Sequence, residues 1–236
     1  MIKSRKFAAL IGITIISSVF CSAARAQEDD GEPHGLYVEQ PNVFYGGVVA
    51  GANFAQVDGD YYAGYRRIGL NAGGIVYAQL AKHVALSLEI LYSQKGSKSD
   101  GPQPSPAYNK LLIVNYGIKA NYAEIPVMIN YFDKRKTHFG IGVSYNRLVN
   151  STESVTADSG GSTAPFSPNF NEKYPFRKDE FDFLAGVDFH LWKGLFLDVR
   201  FQHSITPMRT ELPPVAYARA DQYNNMWAVR FMYLLK

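Results

Sequence analysis

His83-Val84-Ala85-Leu86-Ser87-Leu88-Glu89-Ile90-Leu91-Tyr92 decides how this chain is read. Its even positions, Val84, Leu86, Leu88, Ile90 and Tyr92, are all apolar or aromatic, whereas the odd ones begin His83, Ala85, Ser87 and Glu89. Successive side chains of a strand point to opposite faces, so a period of two marks a strand with one apolar face. Working outward, Phe181, Phe183, Ala185, Val187, Phe189 and Leu191 alternate with Asp182, Leu184, Gly186, Asp188 and His190. Trp227, Val229, Phe231, Tyr233 and Leu235 alternate with Ala228, Arg230, Met232 and Leu234. Similar periods run through 68–80, 123–131, 139–145 and 195–201, and the less regular 43–56 brings the strands to eight.

The connections alternate in length. Short ones fall near 81–82, 132–136 and 192–194, and long ones cover roughly 57–65, 96–110, 150–176 and 207–222. Short turns at one end and long loops at the other are the plan of a transmembrane β-barrel, with short periplasmic turns and long extracellular loops. The expected fold is therefore all-β: an eight-stranded antiparallel barrel over 43–236, with both termini on the short-turn side. One segment resists this plan. Apolar residues are even from Leu112 to Ile118 and odd from Ala123 to Tyr131, so either a bulge lies near 119–122 or the earlier part belongs to a loop. Pro126 lacks a ladder donor within that strand.

The polar face separates a membrane barrel from a soluble one. A soluble barrel turns dense Lys and Glu to water. Here the non-apolar face holds Gly73, Gly140, Gly142 and Gly186 among single charges of both signs: Glu89, Glu124, Asp182, Asp188, Asp198, Arg200 and Arg230. Small and mixed-charge residues suit the cramped lumen of eight strands, which side chains fill. Aromatics gather at strand ends, with Tyr131, Phe139, Phe189, Phe231 and Tyr233 toward the turns. Tyr92, Tyr145, Phe181, Phe201 and Trp227 lie toward the loops. Two such girdles are what the two bilayer interfaces favour.

Residues 1–26 combine a basic start (Lys3, Arg5, Lys6), an apolar run from Phe7 to Phe20, and Ala24-Arg25-Ala26. That is the pattern of a secretory signal peptide cleaved near Ala26. Cys21 raises a lipoprotein alternative, which Phe20 just before it disfavours. The signal carries four of the 24 bases and no acid, so 20 bases meet 21 acids in the remainder and the net charge falls from +3 to −1. No nucleic-acid partner is expected on that balance. The only Cys leaves with the signal, which excludes a disulfide framework and a Cys nucleophile. Residues 27–42, with Glu28, Asp29, Asp30, Glu32 and Glu39, read as a flexible acidic leader. Mean hydropathy of −0.15 and the lack of any 18-residue apolar run exclude a bundle of membrane helices.

Three motifs carry a family resemblance. Leu88-Glu89-Ile90-Leu91-Tyr92-Ser93-Gln94-Lys95-Gly96 resembles the strand that closes on a Tyr-Ser-x-Lys-Gly loop in PorT-like outer-membrane β-barrel proteins. Tyr122-Ala123-Glu124-Ile125-Pro126 resembles their Tyr-Leu-Glu-Ile-Pro strand. Gly194-Leu195-Phe196-Leu197-Asp198-Val199-Arg200-Phe201 is similar to their late hairpin. The resemblance implies an eight-stranded outer-membrane barrel and little chemistry. A link of the family's namesake to protein secretion is analogy at the level of the fold.

Candidate chemistry is sparse. His203-Ser204 resembles the His and Ser of outer-membrane lipid A deacylases, but neighbours on a strand face opposite ways, and a dyad needs hydrogen-bond reach. His83 and His138 fall beside short turns, where an exposed polar residue needs no further reason. Asp58-Gly59-Asp60 offers too few oxygens for a calcium loop. No cofactor or metal is expected. The seven lumenal charges read as a paired network, because unpaired buried charge is costly. Tyr61, Tyr62, Tyr108, Phe166, Phe170 and Tyr174 in the long loops are candidate interaction residues for other envelope proteins. The functional expectation is a non-enzymatic structural or interaction barrel held in the outer-membrane bilayer of a Gram-negative bacterium. The alternatives are a lipid-modifying barrel enzyme and a soluble secreted ligand-binding barrel.

Overall fold

The structure is a computed structural model that describes residues 43–62, 64–105, 112–133, 137–158, 163–165, 174–211 and 218–235. The signal and acidic-leader assignments, and Tyr108, Phe166 and Phe170, lie outside the described residues. Eight long antiparallel strands close on themselves: β1 (Phe44–Asp60), β2 (Arg67–Ala81), β3 (Val84–Lys98), β5 (Leu112–Phe132), β6 (His138–Asp158), β8 (Asp179–Trp192), β9 (Leu195–Ser204) and β10 (Ala218–Leu234). The short β4 (Gln103–Pro104) and β7 (Thr163–Pro165) extend the sheet at its loop end, pairing with β5 and β6. Neighbours in sequence are neighbours in the ring. A seam between β1 and β10, running from Gly47 opposite Leu234 to Asp60 opposite Ala218, closes it. Closure leaves no unpaired strand edge in the lower, membrane-facing part of the ring, where hydrocarbon would not tolerate one.

The alternation in 83–92 becomes direction. Leu88, Ile90 and Tyr92 are exposed on the outer wall, and Ala85, Ser87, Glu89, Leu91 and Ser93 are buried inside. Phe181, Phe183, Trp227, Phe231 and Tyr233 likewise face out, while Asp182, Asp188 and Arg230 face in. The β2–β3 turn is Lys82-His83, and the β8–β9 turn is Lys193-Gly194, with Lys193 at φ 48. Across the β5–β6 turn the Asp133 N–H donates to the Thr137 carbonyl at 2.8 Å. Inside, Gly140 makes room: a Cβ there would lie 2.4 Å from Asn130 Oδ1.

The strands run farther toward the loops than the sequence pattern suggests. β1 reaches Asp60, β3 reaches Lys98, β6 reaches Asp158, and β10 starts at Ala218, all inside stretches read as loop. β5 and β6 are 21 residues each, and a membrane-spanning strand needs only about 9–11. The excess stands above the bilayer.

That excess explains the flip in phase between Leu112 and Tyr131. β5 does not change face at 119–122: Tyr116, Ile118, Ala120, Tyr122, Glu124, Met128 and Asn130 are all buried on one inward row. What changes is the environment. Below Tyr122 the outer positions Ile125, Val127, Ile129 and Tyr131 are apolar, and above it they become Asn121, Lys119 and Asn115. A register shift is nevertheless present beside Asn121 and Tyr122, where the extra residue, Val149, belongs to β6. Pro126 coincides with the gap in β3–β5 pairing between Val127 and Glu124.

Candidate functional site in the barrel lumen

The lumen is filled in layers. Nearest the short turns, an apolar cluster that includes Tyr45, Ile75, Tyr77, Phe132, Phe196 and Met232 packs across the ring. His138 sits among these rings, its Nε2 3.1 Å from Asp188 Oδ2 and 3.0 Å from Tyr77 Oη. It is fully buried, which corrects its reading as an exposed turn residue. Its place at the start of β6 puts it on the inward row.

The next layer joins strands that are far apart in the chain. Arg230 from β10 donates through Nε and Nη2 to the two oxygens of Asp198 on β9, at 3.0 and 2.9 Å. Its Nη1 reaches Glu89 Oε2 on β3 at 3.0 Å. Arg200 donates through Nη2 to Glu89 Oε1 at 2.6 Å and to Asp198 Oδ2 at 3.2 Å. Two guanidinium groups thus meet two carboxylates with planar, partly bidentate geometry, the arrangement that best offsets desolvation. Asn71 and Asn53 continue the network toward Ser93.

Above it, Lys95 Nζ lies 2.6 Å from both Asp182 Oδ2 and Glu124 Oε1 and 3.7 Å from Glu180 Oε1. Gln202 Nε2 donates to Asp182 Oδ2 and Glu124 Oε1. Asn224 and the Tyr122 hydroxyl donate to Glu180. All seven charges named from the sequence are therefore buried in one lumen, where six share the two ionic layers and Asp188 contacts His138. Lys95 and Glu180 were missed. Lys95 extends the inward odd row of β3 past Ser93, and Glu180 precedes Asp182 on the inward row of β8, so extending each period would have found them.

At the loop end a second apolar cluster, including Tyr62, Ile113, Tyr116, Ile118, Val155 and Met208, closes the barrel. Within it Arg209 donates to Glu153 Oε2, while the Tyr116 hydroxyl donates to Glu153 Oε1 at 2.6 Å. Arg209 also stacks over Phe176, 3.8 Å from the ring centroid. Tyr62 is not an exposed loop aromatic. It is buried, stacked on Tyr116 with centroids 4.3 Å apart, and its N–H is capped by Asp60 Oδ1. Tyr61 and Tyr174 are partly buried against the same cluster.

His203 and Ser204 do not form a dyad. His203 lies on the outer wall, 3.4 Å from Asp58 and stacked on Tyr223, whereas Ser204 is buried and its hydroxyl donates to the Thr206 carbonyl. Asp58 and Asp60 likewise diverge, Asp58 to the outer wall and Asp60 inward. Among the described residues no group of three or more His, Cys, Asp or Glu is arranged to hold a metal ion.

Several solved barrels are similar in fold. The attachment invasion locus protein Ail of Yersinia pestis is 12% identical with a TM-score of 0.43, covering 81% of this chain and 98% of its own. Neisserial surface protein A is 9% identical with a TM-score of 0.40, covering 81% and 97%. The N-terminal β-barrel domain of Pseudomonas aeruginosa OprF is 8% identical with a TM-score of 0.32, covering 82% and 100%. No curated protein is detectably similar in sequence. The model of the outer membrane protein β-barrel domain matches residues 39–209, which run from before β1 to beyond β9 and stop short of β10. An apolar outer band, ionic layers in the middle of the lumen and this match agree, and they exclude the soluble secreted barrel: the chain belongs to the outer membrane protein β-barrel domain family.

Proposed function

We propose that this outer-membrane barrel is a non-enzymatic structural and interaction protein that works through its long-loop end and not through its lumen. The observation that carries the reading is the layered filling described above. Two apolar clusters enclose two ionic layers, and the residues that build them are almost wholly buried. Such a lumen acts as a rigid scaffold, and the variable surface lies in the loops. Signal cleavage near Ala26 and an acidic leader at the periplasmic end belong to the same reading. The resemblance of 88–96 and 122–126 to PorT-like barrels supports an envelope role. Envelope proteins are the partner class, with Tyr61, Phe166, Phe170 and Tyr174 as the contact candidates.

The test separates loop from lumen. Replacing 166–173 with a short Gly-Ser link should leave folding and heat-modifiable gel migration intact while removing any envelope protein that co-purifies with the wild type. Liposomes containing the wild-type barrel should swell no faster in small sugars than empty ones. Rapid swelling that Arg230→Ala or Arg200→Ala accelerates further would overturn the reading in favour of a path through the lumen.

A further inference from the structure

Lys95 is the only buried lysine among the described residues, and its place in the lumen differs from that of the buried arginines. The lower layer meets its carboxylates with Arg200 and Arg230, whose planar guanidinium groups suit buried ion pairs and stay charged. Here a lysine takes that place, and an amine that gives up its proton becomes a nucleophile. Lys95 Nζ lies 2.6 Å from Asp182 Oδ2 on β8 and 2.6 Å from Glu124 Oε1 on β5, and all three side chains are wholly buried. The Tyr122 ring covers the amine, its centroid 5.0 Å from Nζ. Glu180 Oε1 adds a third carboxyl at 3.7 Å, so carboxyl groups outnumber the cation.

Two oxygens of this group, Asp182 Oδ1 and Glu124 Oε2, have no hydrogen-bond partner. Buried polar atoms are ordinarily paired, whereas each of these carboxyls is held by one oxygen and left open at the other. Gln202 Nε2 donates to both held oxygens, at 2.5 Å to Asp182 Oδ2 and 3.3 Å to Glu124 Oε1. An amine, a carboxyl acceptor and a second carboxyl touching the same nitrogen are the parts that amide formation requires: nucleophile, electrophile and proton carrier. Holding them in contact supplies the proximity that free amines and carboxylates lack in water. Burial adds a drive, because condensation removes one cation and one anion from a layer where each carries a desolvation cost.

We propose that Lys95 and Asp182 condense to an intramolecular amide, with Glu124 as the catalytic acid–base, and that this link staples β3 to β8 across the lumen. Asp182 is the acceptor because the shorter Gln202 contact falls on its Oδ2. Glu124 carries one proton from Lys95 Nζ to Asp182 Oδ1, leaving a neutral amine beside a neutral carboxylic acid. The amine's electron pair then forms a bond to Asp182 Cγ. Gln202 Nε2 steadies the negative charge on Oδ2, which becomes the amide oxygen. Glu124 moves a second proton from nitrogen to Oδ1, the Cγ–Oδ1 bond breaks with its electrons, and water leaves. Ammonium and carboxylate thus become amide and water, Glu124 ends as it began, and no other reactant is consumed. The remaining N–H donates to Glu124 Oε1. The link deepens the scaffold role of the lumen and needs no loop partner.

The test uses the full chain without its signal, purified unfolded in urea and then folded into detergent micelles, with heat-modifiable migration confirming folding. The unfolded chain should have the mass of its sequence, and the folded one should be lighter by one water. Tryptic mapping should find peptide 83–98 joined to 179–193, with fragment ions placing the bond at Asp182. Lys95→Arg and Asp182→Ala should abolish the link, and Glu124→Gln should slow its formation about a hundredfold or more. Asp182→Asn should release one ammonia in place of water. A folded wild type of full mass, with 83–95 recovered free, would overturn the proposal. Joining of 83–98 to 120–134 would overturn Asp182 as the acceptor. An undiminished rate in folded Glu124→Gln would overturn the role of Glu124.

Discussion

The two halves of β5 and β6 obey opposite rules. From Glu124 to Phe132 and from His138 to Asn146, the outer wall is Ile, Val and aromatic, and the inner wall holds Glu124, Asn130, Ser144 and Asn146. From Ile113 to Tyr122 and from Val149 to Asp158, the outer wall is Asn115, Lys119, Asn150 and Thr152, and the inner wall holds Ile113, Tyr116, Ile118 and Val155. One continuous pair of strands is thus a membrane barrel below and a soluble barrel above. The backbone is the same in both. The solvent outside decides which set of side chains turns inward, because hydrocarbon rejects charge as strongly as water rejects a large apolar patch.

The largest effect should come from the lower lumen. Arg230→Met would leave two carboxylates, Glu89 and Asp198, with only one of the two guanidinium groups they share, that of Arg200. Breaking a buried pair in this way costs about 3–5 kcal/mol, measurable as a fall in the urea midpoint of the reconstituted barrel. Replacing Arg230, Arg200, Glu89 and Asp198 together by apolar residues of similar volume, so that no charge of the layer is left unpaired, should recover part of that loss. No recovery would mean that the layer contributes more than paired charge.

In the upper half the same depth of damage should come from an apolar deletion. Ile118→Ala should cost about 2–5 kcal/mol, and the damage should be local. Protease added outside should cut the loop end while the lower barrel still resists unheated detergent. Uniform loss of both halves would show that they unfold as one unit.

The outer wall provides the sharpest contrast. Leu88→Arg faces hydrocarbon and should cost about 2–4 kcal/mol. Thr152→Arg, also outward but above the girdle, should stay within about 0.5 kcal/mol. Equal costs would place Thr152 inside the bilayer and erase the distinction between the halves. A cysteine scan of 83–92 with a lipid-phase reagent should label the even positions and spare the odd ones.

The lower half was legible in the sequence because its two faces differ so much in polarity. Leu88 beside Ser87 and Glu89, or Phe183 beside Asp182, leaves little choice of direction once the girdles and glycines identify the lumen. The upper half was illegible for the same reason inverted. Tyr116 and Ile118 keep the inward phase of Glu124, but the rule that apolar means outward no longer holds for them, so they looked like a slip or a loop. Of the ionic layers, the sequence exposed every charge on a strand with clean alternation. Lys95 was hidden by a motif read as a loop entry, and Glu180 stood at the edge of a strand. The Glu153–Arg209 pair joins two segments both read as loop, so no local period announces it. His138 was misplaced because proximity to a turn says nothing about which face a strand's first residue takes.

The seam between β1 and β10 has a kinetic consequence. Gly47 pairs with Leu234 and Phe54 with Trp227, so the contact that closes the ring joins positions some 170–190 apart in the chain. Every other junction in the ring can zip from a local hairpin. This one must wait until the rest is in place, and loop-closure entropy makes such long-range pairing slow. The barrel should therefore assemble through an open sheet whose first and last strands are both unpaired. Gly51→Val at the seam, whose Cβ would lie 2.2 Å from the Val229 carbonyl oxygen, would then both prolong that intermediate and weaken the finished ring.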